Sequence, residues 1–257
     1  MKPTIQFAHA NGFPAKTYNE LFKHFEAYHL KYVPIMAHKE FGVFPNWKPL
    51  GQELIANIKE HNQTPVIGIG HSMGGAALMY AAHWQPNLFD KIIFLDPPLF
   101  PIHKIVGMNL MRLFGMLDKV GPSGRAKTRK AHFESYDAAF QYFKPKKLFQ
   151  NFHPNCFKDY VEHGLTPSSK GGLELTFKPN IEYQVFRTMA HIPGKIVFPM
   201  PSYFIYSMNY TVLQERDLKS LKRKFINTKF IPFDGGHLFP LEKPLETAQL
   251  IKKLITI

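Results

Sequence analysis

The stretch that decides the fold is residues 66–77, which read VIGIGHSMGGAA. It begins with a short apolar run, typical of a strand buried on both faces, and it runs into alanine-rich sequence with strong helix propensity. Between the two lies a Gly-x-Ser-x-Gly pentapeptide formed by Gly70, Ser72 and Gly74. A serine on so sharp a strand-to-helix turn adopts a strained backbone conformation, so the residues two positions before and after it must be small. The pattern predicts a nucleophilic serine above a helix N-terminus, which favours negative charge.

The pentapeptide alone has a second interpretation, a glycine-rich turn of a nucleotide-binding fold. The flanking strand and helix favour the nucleophile instead, because strand, tight turn and helix together form the context in which such a serine is displayed.

Two further motifs lie near the two ends of the chain. Residues 9–14 read HANGFP and residues 235–237 read GGH. With these motifs and the serine turn, the chain resembles the α/β-hydrolase superfamily nearly from end to end. The resemblance implies an α/β fold with a mostly parallel central sheet, helices on both faces, and a mainly helical cap inserted before the last two strands.

Apolar runs and helical stripes alternate through most of the chain, which predicts a parallel sheet with helices on both faces. Ligands of such sheets bind outside the carboxyl ends of the strands, where Ser72 and Asp96 fall. The first strand, over residues 4–8, leaves no room for the leading β-hairpin usual in the superfamily, so we expect that hairpin to be missing or the native start to lie upstream. The predicted strands are 4–8, 32–35, 66–69, 91–95, 202–207 and one within 225–231, and the predicted helices outside the insertion are 17–28, 47–59, 217–225 and 241–254.

The alternation stops over residues 98–199, which are rich in aromatic residues and contain several prolines. An insertion at this point resembles the cap of many such hydrolases, which excludes water and shapes the substrate pocket. We therefore expect a core formed by residues 1–97 and 200–257 and a cap formed by residues 98–199, with its Met-rich and aromatic stripes packed on the core. Its helices are predicted at 105–117, 131–143, 159–164 and 182–189, with a turn at 166–172.

Acyl transfer by serine requires a base that reaches the nucleophile and an acceptor that holds the base in one tautomer. The superfamily places these groups in the chain order serine, acid, histidine. Ser72 and His237 match that order, whereas His9 and His71 are expected to shape loops beside the site.

The acid is less clear, because the loop after the strand at 203–207, its usual position, contains no carboxylate. Some relatives take the acid from the end of the preceding strand, which is Asp96 here. We rank Asp96 first, Asp217 or Glu215 second, and a Ser-His dyad helped by Asn209 third. Capping of the turn into Pro97 is the structural alternative for Asp96.

By the same resemblance, backbone N–H groups of Met73 and Asn11 form the oxyanion hole. Ala10 stands where glycine is common, so Gly12 or Phe13 are alternatives to Asn11, and a plain Asn-Gly turn is the structural alternative.

Bulk composition narrows the functional classes. The sequence contains no run of about 18 apolar residues, so no membrane-spanning helix is predicted, and no secretory signal is recognisable. The single cysteine, Cys156, excludes an internal disulfide and fits a reducing cytoplasm. The net charge of +13 allows an anionic substrate, a nucleic acid, a membrane surface or a generally basic proteome. We favour the last, because the lysines are scattered and no nucleic-acid-binding motif accompanies them.

These observations predict a cytoplasmic serine hydrolase of the carboxylesterase type, acting on a small ester or acyl substrate without metal or cofactor. A serine rather than an aspartate at the turn argues against dehalogenase or epoxide-hydrolase chemistry. Two alternatives remain: hydrolysis of a lactone or a carbon–carbon bond by the same triad, and a catalytically idle signalling or binding protein on this scaffold.

Overall fold

The computed structural model describes residues 2–38, 45–61, 64–192, 194–209 and 212–257. The strands in these ranges are β1 (Thr4–Ala8), β2 (His29–Tyr32), β3 (Val66–His71), β4 (Phe89–Leu95), β5 (His132–Phe133), β6 (Leu165–Pro167), β7 (Leu173–Leu175), β8 (Ser202–Ser207) and β9 (Lys229–Phe233).

The helices are α1 (Asn19–Phe22), α2 (Lys48–His61), α3 (Met73–Trp84), α4 (Ile102–Leu113), α5 (Leu117–Val120), α6 (Pro122–Lys127), α7 (Tyr136–Phe143), α8 (Pro154–His163), α9 (Pro179–Arg187), α10 (Glu215–Lys224), α11 (Phe239–Glu242) and α12 (Pro244–Thr256). None of them, over the described ranges, combines the length and apolar character needed to cross a bilayer.

The central sheet has six strands in the order β2-β1-β3-β4-β8-β9, and every pairing in it is parallel. The predicted α/β fold with a mostly parallel sheet is therefore confirmed. Within the described residues, no hairpin precedes β1 in this sheet. The chain runs from β1 outward to β2 and then from β3 in the opposite direction, so the strand order reverses between β1 and β3. Loops that follow strands at such a switch point form the usual ligand crevice.

Two hydrophobic clusters cover the two faces of the sheet. Alternate residues of β4 belong to different clusters: Ile92 and Phe94 pack with α2, α3 and α10, whereas Ile93 and Leu95 pack with α1 and α12. Because successive side chains of a strand point to opposite faces, a strand covered on both sides reads as a continuous apolar run. This explains why β3 and β4 were recognisable from sequence.

The edge of the sheet differs from the prediction. The strand expected over 32–35 is β2, at His29–Tyr32, and its residues are exposed or only partly buried. The helix expected over 17–28 is reduced to α1 flanked by two short 3-10 turns. Apolar periodicity is weak on an exposed edge strand, because only one side of it packs against the core, and the predicted boundary moved to the more apolar residues that follow.

Residues 98–199 contain α4 to α9 and a small antiparallel sheet of order β5-β7-β6. The helix predicted over 131–143 is wrong over residues 131–135, because His132–Phe133 form β5. Ser135 accepts from the Ala138 N–H as an N-cap, so α7 begins only at Tyr136. The first two residues of the turn predicted at 166–172 belong to β6, and residues 168–172 connect β6 to β7. Gly171 and Gly172 in this connection have φ values of 85° and 66°. Strands this short are below the length that periodicity detects.

The stripe of α4 also departs from its prediction. It was expected to pack on the core, yet Ile105 is the helix residue that is buried. The opposite face of α4 is exposed.

Two helical glycines provide a test of the packing between α2 and α3. A Cβ on Gly51 would lie 2.5 Å from Cβ of Tyr80, whereas a Cβ on Gly107 would meet nothing within 4 Å. Gly51→Ala should lower the free energy of unfolding by about 1–3 kcal/mol because it overpacks the interface. Gly107→Ala should raise it by up to about 1 kcal/mol through helix propensity. Urea unfolding of both variants measures the difference, and changes of the same sign would contradict the described packing.

Candidate active site

Ser72 lies on the turn between β3 and α3 with φ of 53° and ψ of −117°, a conformation that L-residues rarely adopt. The glycines around it are required by close approach. A Cβ on Gly70 would lie 2.5 Å from the Gly74 carbonyl oxygen, and a Cβ on Gly74 would lie 2.2 Å from that of Ala8. The tight packing of α3 against the end of β1 therefore holds the strained serine at the switch point.

Ser72, His237 and Asp96 form a continuous hydrogen-bonded line. His237 Nε2 lies 3.0 Å from Ser72 Oγ, and His237 Nδ1 lies 2.7 Å from Asp96 Oδ2. Because the carboxylate accepts from Nδ1–H, Nε2 is left as the acceptor for the serine hydroxyl. Asp96 is 1% exposed and Ser72 is 8% exposed, so the line is largely shielded from water.

Asp96 is held by the neighbouring strand β8. It follows β4 with φ of 45°, and its N–H donates to Ile205 O over 2.8 Å. Its Oδ1 accepts from the Ser207 N–H over 3.2 Å, while Ser207 Oγ donates to Gly235 O over 2.6 Å. Ser207 ends the strand after which the superfamily usually carries its acid, and it links the carboxylate to the histidine loop.

The other acid candidates are not brought to His237. Asp217 lies in the first turn of α10, where its Oδ2 accepts from the Gln214 N–H and pairs with Lys104. Glu215 is exposed and pairs with Lys219 at 3.0 Å. The N–H of Asn209 donates to Ser207 Oγ over 3.2 Å. Residues 210–211 of the same loop lie outside the described residues.

The loop after β1 is anchored beside the serine turn, where the Gly74 N–H donates to His9 O over 3.1 Å. The Phe13 N–H donates to Ala10 O, so it is not a free donor. Among the bonds of the described residues, the backbone N–H groups of Asn11, Gly12 and Met73 donate to no protein acceptor. Asn11 and Met73 therefore remain the predicted oxyanion donors, with Gly12 as the alternative.

A buried network that sequence reasoning missed joins the two loops. The Ala10 N–H donates to the Tyr18 hydroxyl over 3.3 Å, and that hydroxyl lies 2.7 Å from His71 Nδ1. His71 Nε2 lies 3.0 Å from the His237 carbonyl oxygen. A carbonyl only accepts, so His71 carries its proton on Nε2 and Nδ1 accepts from Tyr18. Periodicity identified Tyr18 only as an apolar position, because a helical stripe carries no signal for a phenol oxygen.

His9 and His71 are both buried and neutral. His9 Nδ1 donates to Ala10 O over 2.8 Å, and its Nε2 accepts from the Met36 N–H over 2.8 Å. Burial lowers the pKa of His9 to about 4 and that of His71 to about 3. The expectation that these histidines shape loops is consistent with these bonds.

The segment 98–199 touches the loop after β1. Asn11 Nδ2 donates to Glu182 O over 3.3 Å, and a Cβ on Gly12 would lie 3.1 Å from Glu182 Oε1. Glu182 pairs with Arg129, which also donates to the Tyr160 hydroxyl over 2.7 Å. The Asn11 Oδ1 atom is buried without a hydrogen-bond partner, so this junction retains one unused acceptor.

Asp159, Glu162 and His163 on α8 form a separate group of possible ligands. Their oxygen and nitrogen atoms lie within 4.8 Å of one another. Asp159 Oδ2 already accepts from the Glu20 N–H over 3.1 Å.

Comparison with known proteins shows similarity to one fold family. A family model described as "alpha/beta hydrolase fold" matches residues 53–244. The structure of E-2-(acetamidomethylene)succinate hydrolase is similar with a TM-score of 0.78 and 16% identity, over 99% of this chain and 92% of that one. A thioesterase domain from the curacin biosynthetic pathway has a TM-score of 0.71 and 16% identity, over 98% of this chain and 91% of that one. An esterase of M. tuberculosis has a TM-score of 0.67 and 14% identity, over 99% of this chain and 86% of that one.

No curated protein matches this chain significantly. At 14–16% identity, these structural likenesses establish the fold and not the substrate.

The two buried histidines predict a loss of stability in mild acid. Their pKa values lie well below the ordinary value of 6.5, so between about pH 6.5 and 4 the unfolded chain binds protons that the native chain does not. The contribution of the two neutral histidines to the free energy of unfolding is therefore complete above pH 6.5 and falls as the pH falls. The slope of this free energy against pH approaches roughly 2.7 kcal/mol per pH unit for both histidines together. Urea unfolding at several pH values measures this slope.

His9→Asn should reduce the slope, whereas His29→Gln, at an exposed position, should leave it unchanged. A free energy of unfolding that stays constant between pH 7 and pH 5 would contradict two buried neutral imidazoles.

Proposed function

Because the chain belongs to the α/β-hydrolase fold family, we propose that it is a serine hydrolase that cleaves a carboxylic ester or a related acyl substrate. The observation that carries the proposal is the line from Asp96 through His237 to Ser72, with contacts of 2.7 Å and 3.0 Å. Nucleophile, base and orienting acid are the three groups that acyl transfer requires, and here they occur in hydrogen-bonding order.

In the proposed first step, Ser72 Oγ attacks the carbonyl carbon of the ester and its proton passes to His237 Nε2. Asp96 keeps accepting from Nδ1–H and stabilises the imidazolium that forms. The carbonyl oxygen becomes an oxyanion, which accepts from the backbone N–H groups of Met73 and Asn11 and lies near the N-terminus of α3. Such donors stabilise charge without reorganising, because the fold already holds them in place.

In the second half, the tetrahedral intermediate collapses and the carbon–oxygen bond of the ester breaks. His237 returns its proton to the leaving alkoxide, which departs as an alcohol and leaves an acyl group on Ser72. Water then attacks the acyl-enzyme with His237 as general base, and the acid product leaves. The hydrolysis consumes one water and regenerates the starting protonation states.

Residues 98–199 act as the cap in this proposal, on a core of residues 1–97 and 200–257. Its support is the contact of Glu182 with Asn11 and Gly12, which joins α9 to the loop that supplies an oxyanion donor. A cap in that position excludes water from the acyl-enzyme and lines the acyl pocket. The similar proteins carry the names hydrolase, thioesterase and esterase, which favours acyl chemistry over an idle scaffold.

The nucleophile is tested with Ser72→Ala and a matched serine variant. Ser72→Ala should abolish turnover of p-nitrophenyl acetate and labelling by a fluorophosphonate probe, while the circular dichroism spectrum stays unchanged. The loss in kcat should be at least on the order of 10⁴-fold, since the attacking oxygen is gone. Ser169→Ala, at an exposed serine of the same chain, should behave as wild type. Wild-type protein that the probe never labels would instead support the idle-scaffold alternative.

The acid is tested by two substitutions of the same kind. Asp96→Asn should lower kcat by on the order of 10³- to 10⁴-fold, because the amide favours the wrong tautomer of His237. Asp217→Asn should leave kcat within a few-fold and lower the free energy of unfolding by about 1–3 kcal/mol, because Lys104 loses its carboxylate partner. Steady-state kinetics and urea unfolding of both variants separate these effects, and the reverse ranking in kcat would assign the acid to α10.

A further inference from the structure

One surface of the molecule exposes an unusual number of large apolar side chains. Six of them lie within residues 102–116, each between 49% and 76% exposed. We call them the α4 apolar face: Ile102, Val106, Leu110, Leu113, Phe114 and Met116. The first four recur three or four positions apart, so they share one side of α4. The last two continue the surface past the end of the helix.

The α4 apolar face borders a groove between α4 and α9, with a volume of about 770 Å³. Val106, Leu110 and Leu113 line it from α4, and Tyr183 and Arg187 line it from α9. Contiguous apolar surfaces that face water mark sites of interaction with proteins, membranes or ligands.

The charge around this face is strongly positive. Residues 98–130 contain seven Lys and Arg side chains and a single carboxylate, Asp118. Asp118 accepts from Tyr183 and Ser123, each over 2.8 Å, and lies 3.6 Å from Arg187. Its negative charge is therefore already neutralised within the fold.

Three exposed basic side chains lie on α5 and α6, the two helices that follow α4, and are free to bind an anion. Lys119, Arg125 and Lys127 are exposed, and none of them forms an ion pair in the described part of the chain. Lys127 Nζ lies 5.6 Å from the centre of the ring of Tyr183, a residue that lines the groove. The surface thus joins apolar side chains to uncompensated positive charge.

We propose that the α4 apolar face docks the protein onto an anionic lipid bilayer. Leu113, Phe114 and Met116 enter the boundary between headgroups and acyl chains, and the free cations contact lipid phosphates. Apolar insertion with adjacent Lys and Arg is the combination that holds helices at an anionic membrane surface. A second copy of this chain fits the face less well, since two such surfaces would bring like charges together.

Helix α9 connects the groove beside the α4 apolar face to the candidate active site. Tyr183 and Arg187 line the groove, while the preceding residue, Glu182, contacts Asn11. Binding itself does not depend on the proposed hydrolase activity, so Ser72→Ala should bind vesicles as well as wild type does. This separates a failure of the docking proposal from a failure of the catalytic one.

The test is cosedimentation of the full chain with phosphatidylcholine vesicles that contain or lack phosphatidylglycerol. We expect binding to the anionic vesicles, little binding to the neutral ones, and weaker binding as salt rises, because salt screens the charges. Equal binding to both kinds of vesicle, or binding to neither, would overturn the proposal.

Two variants separate the apolar and the charged contributions. The L113Q/F114Q double variant, which leaves the net charge unchanged, should weaken binding by at least about tenfold, whereas Leu148→Gln, at an exposed leucine of the same segment, should have little effect. K119Q/R125Q/K127Q should weaken binding by on the order of 100-fold. Its matched control, K16Q/K252Q/K253Q, removes three exposed lysines elsewhere and should weaken binding much less.

Equal losses in the two triple variants would reduce the effect to overall net charge and overturn the assignment to this face. Sedimentation equilibrium tests whether a second copy of this chain binds the α4 apolar face instead. A dimer that L113Q/F114Q dissociates would mean that a second copy covers the face, and the docking proposal would then be wrong.

Discussion

The close contact between the end of β1 and the start of α3 is the constraint on which the rest of the site depends. Gly74 packs so tightly on the Ala8 carbonyl that a single Cβ there would lie 2.2 Å from the oxygen. That contact, with the Gly74 N–H bonded to His9 O, brings the loop after β1 and the turn of Ser72 to one point. Backbone N–H groups from the loops that follow β1 and β3 can then face the same small volume, as an oxyanion hole needs.

The position of Asp96 follows from the register of two neighbouring strands. Leu95 pairs with Ile205 in the parallel ladder of β4 and β8, so the residues that follow both strands emerge side by side. A carboxylate from either end can therefore reach the same imidazole. Here β4 supplies it, and Ser207 at the end of β8 binds that carboxylate and the Gly235 carbonyl. The Ser207 backbone N–H thus holds the carboxylate, while the Ser207 hydroxyl holds the loop that leads to His237.

Sequence reasoning succeeded where local geometry imposes residue types and failed where contacts are made across the fold. The spacing around Ser72 is dictated by close backbone approach, and the apolar run of β4 is dictated by burial on both faces, so both were predictable. The ranking of Asp96 above Asp217 needed topology as well as spacing. The bond of Tyr18 to His71 joins residues 53 positions apart, and no local pattern specifies it. The exposure of α4 was likewise missed, because periodicity identifies an apolar side without saying what covers it.

The two histidines beside Ser72, His237 and His71, differ in how deeply they are buried, and burial decides whether an imidazole can carry a charge. His237 keeps 20% of its side chain exposed, so its imidazole is accessible to a substrate, as the proposed mechanism requires. His71 is fully buried with its ring centre 5.4 Å from that of His237, and burial, with the charge of His237 second, lowers its pKa to about 3. If His71 could ionise, a second positive charge would oppose the imidazolium that the proposed acyl transfer places on His237. A neutral His71 can instead hold the His237 backbone through one hydrogen bond at no electrostatic cost to the base.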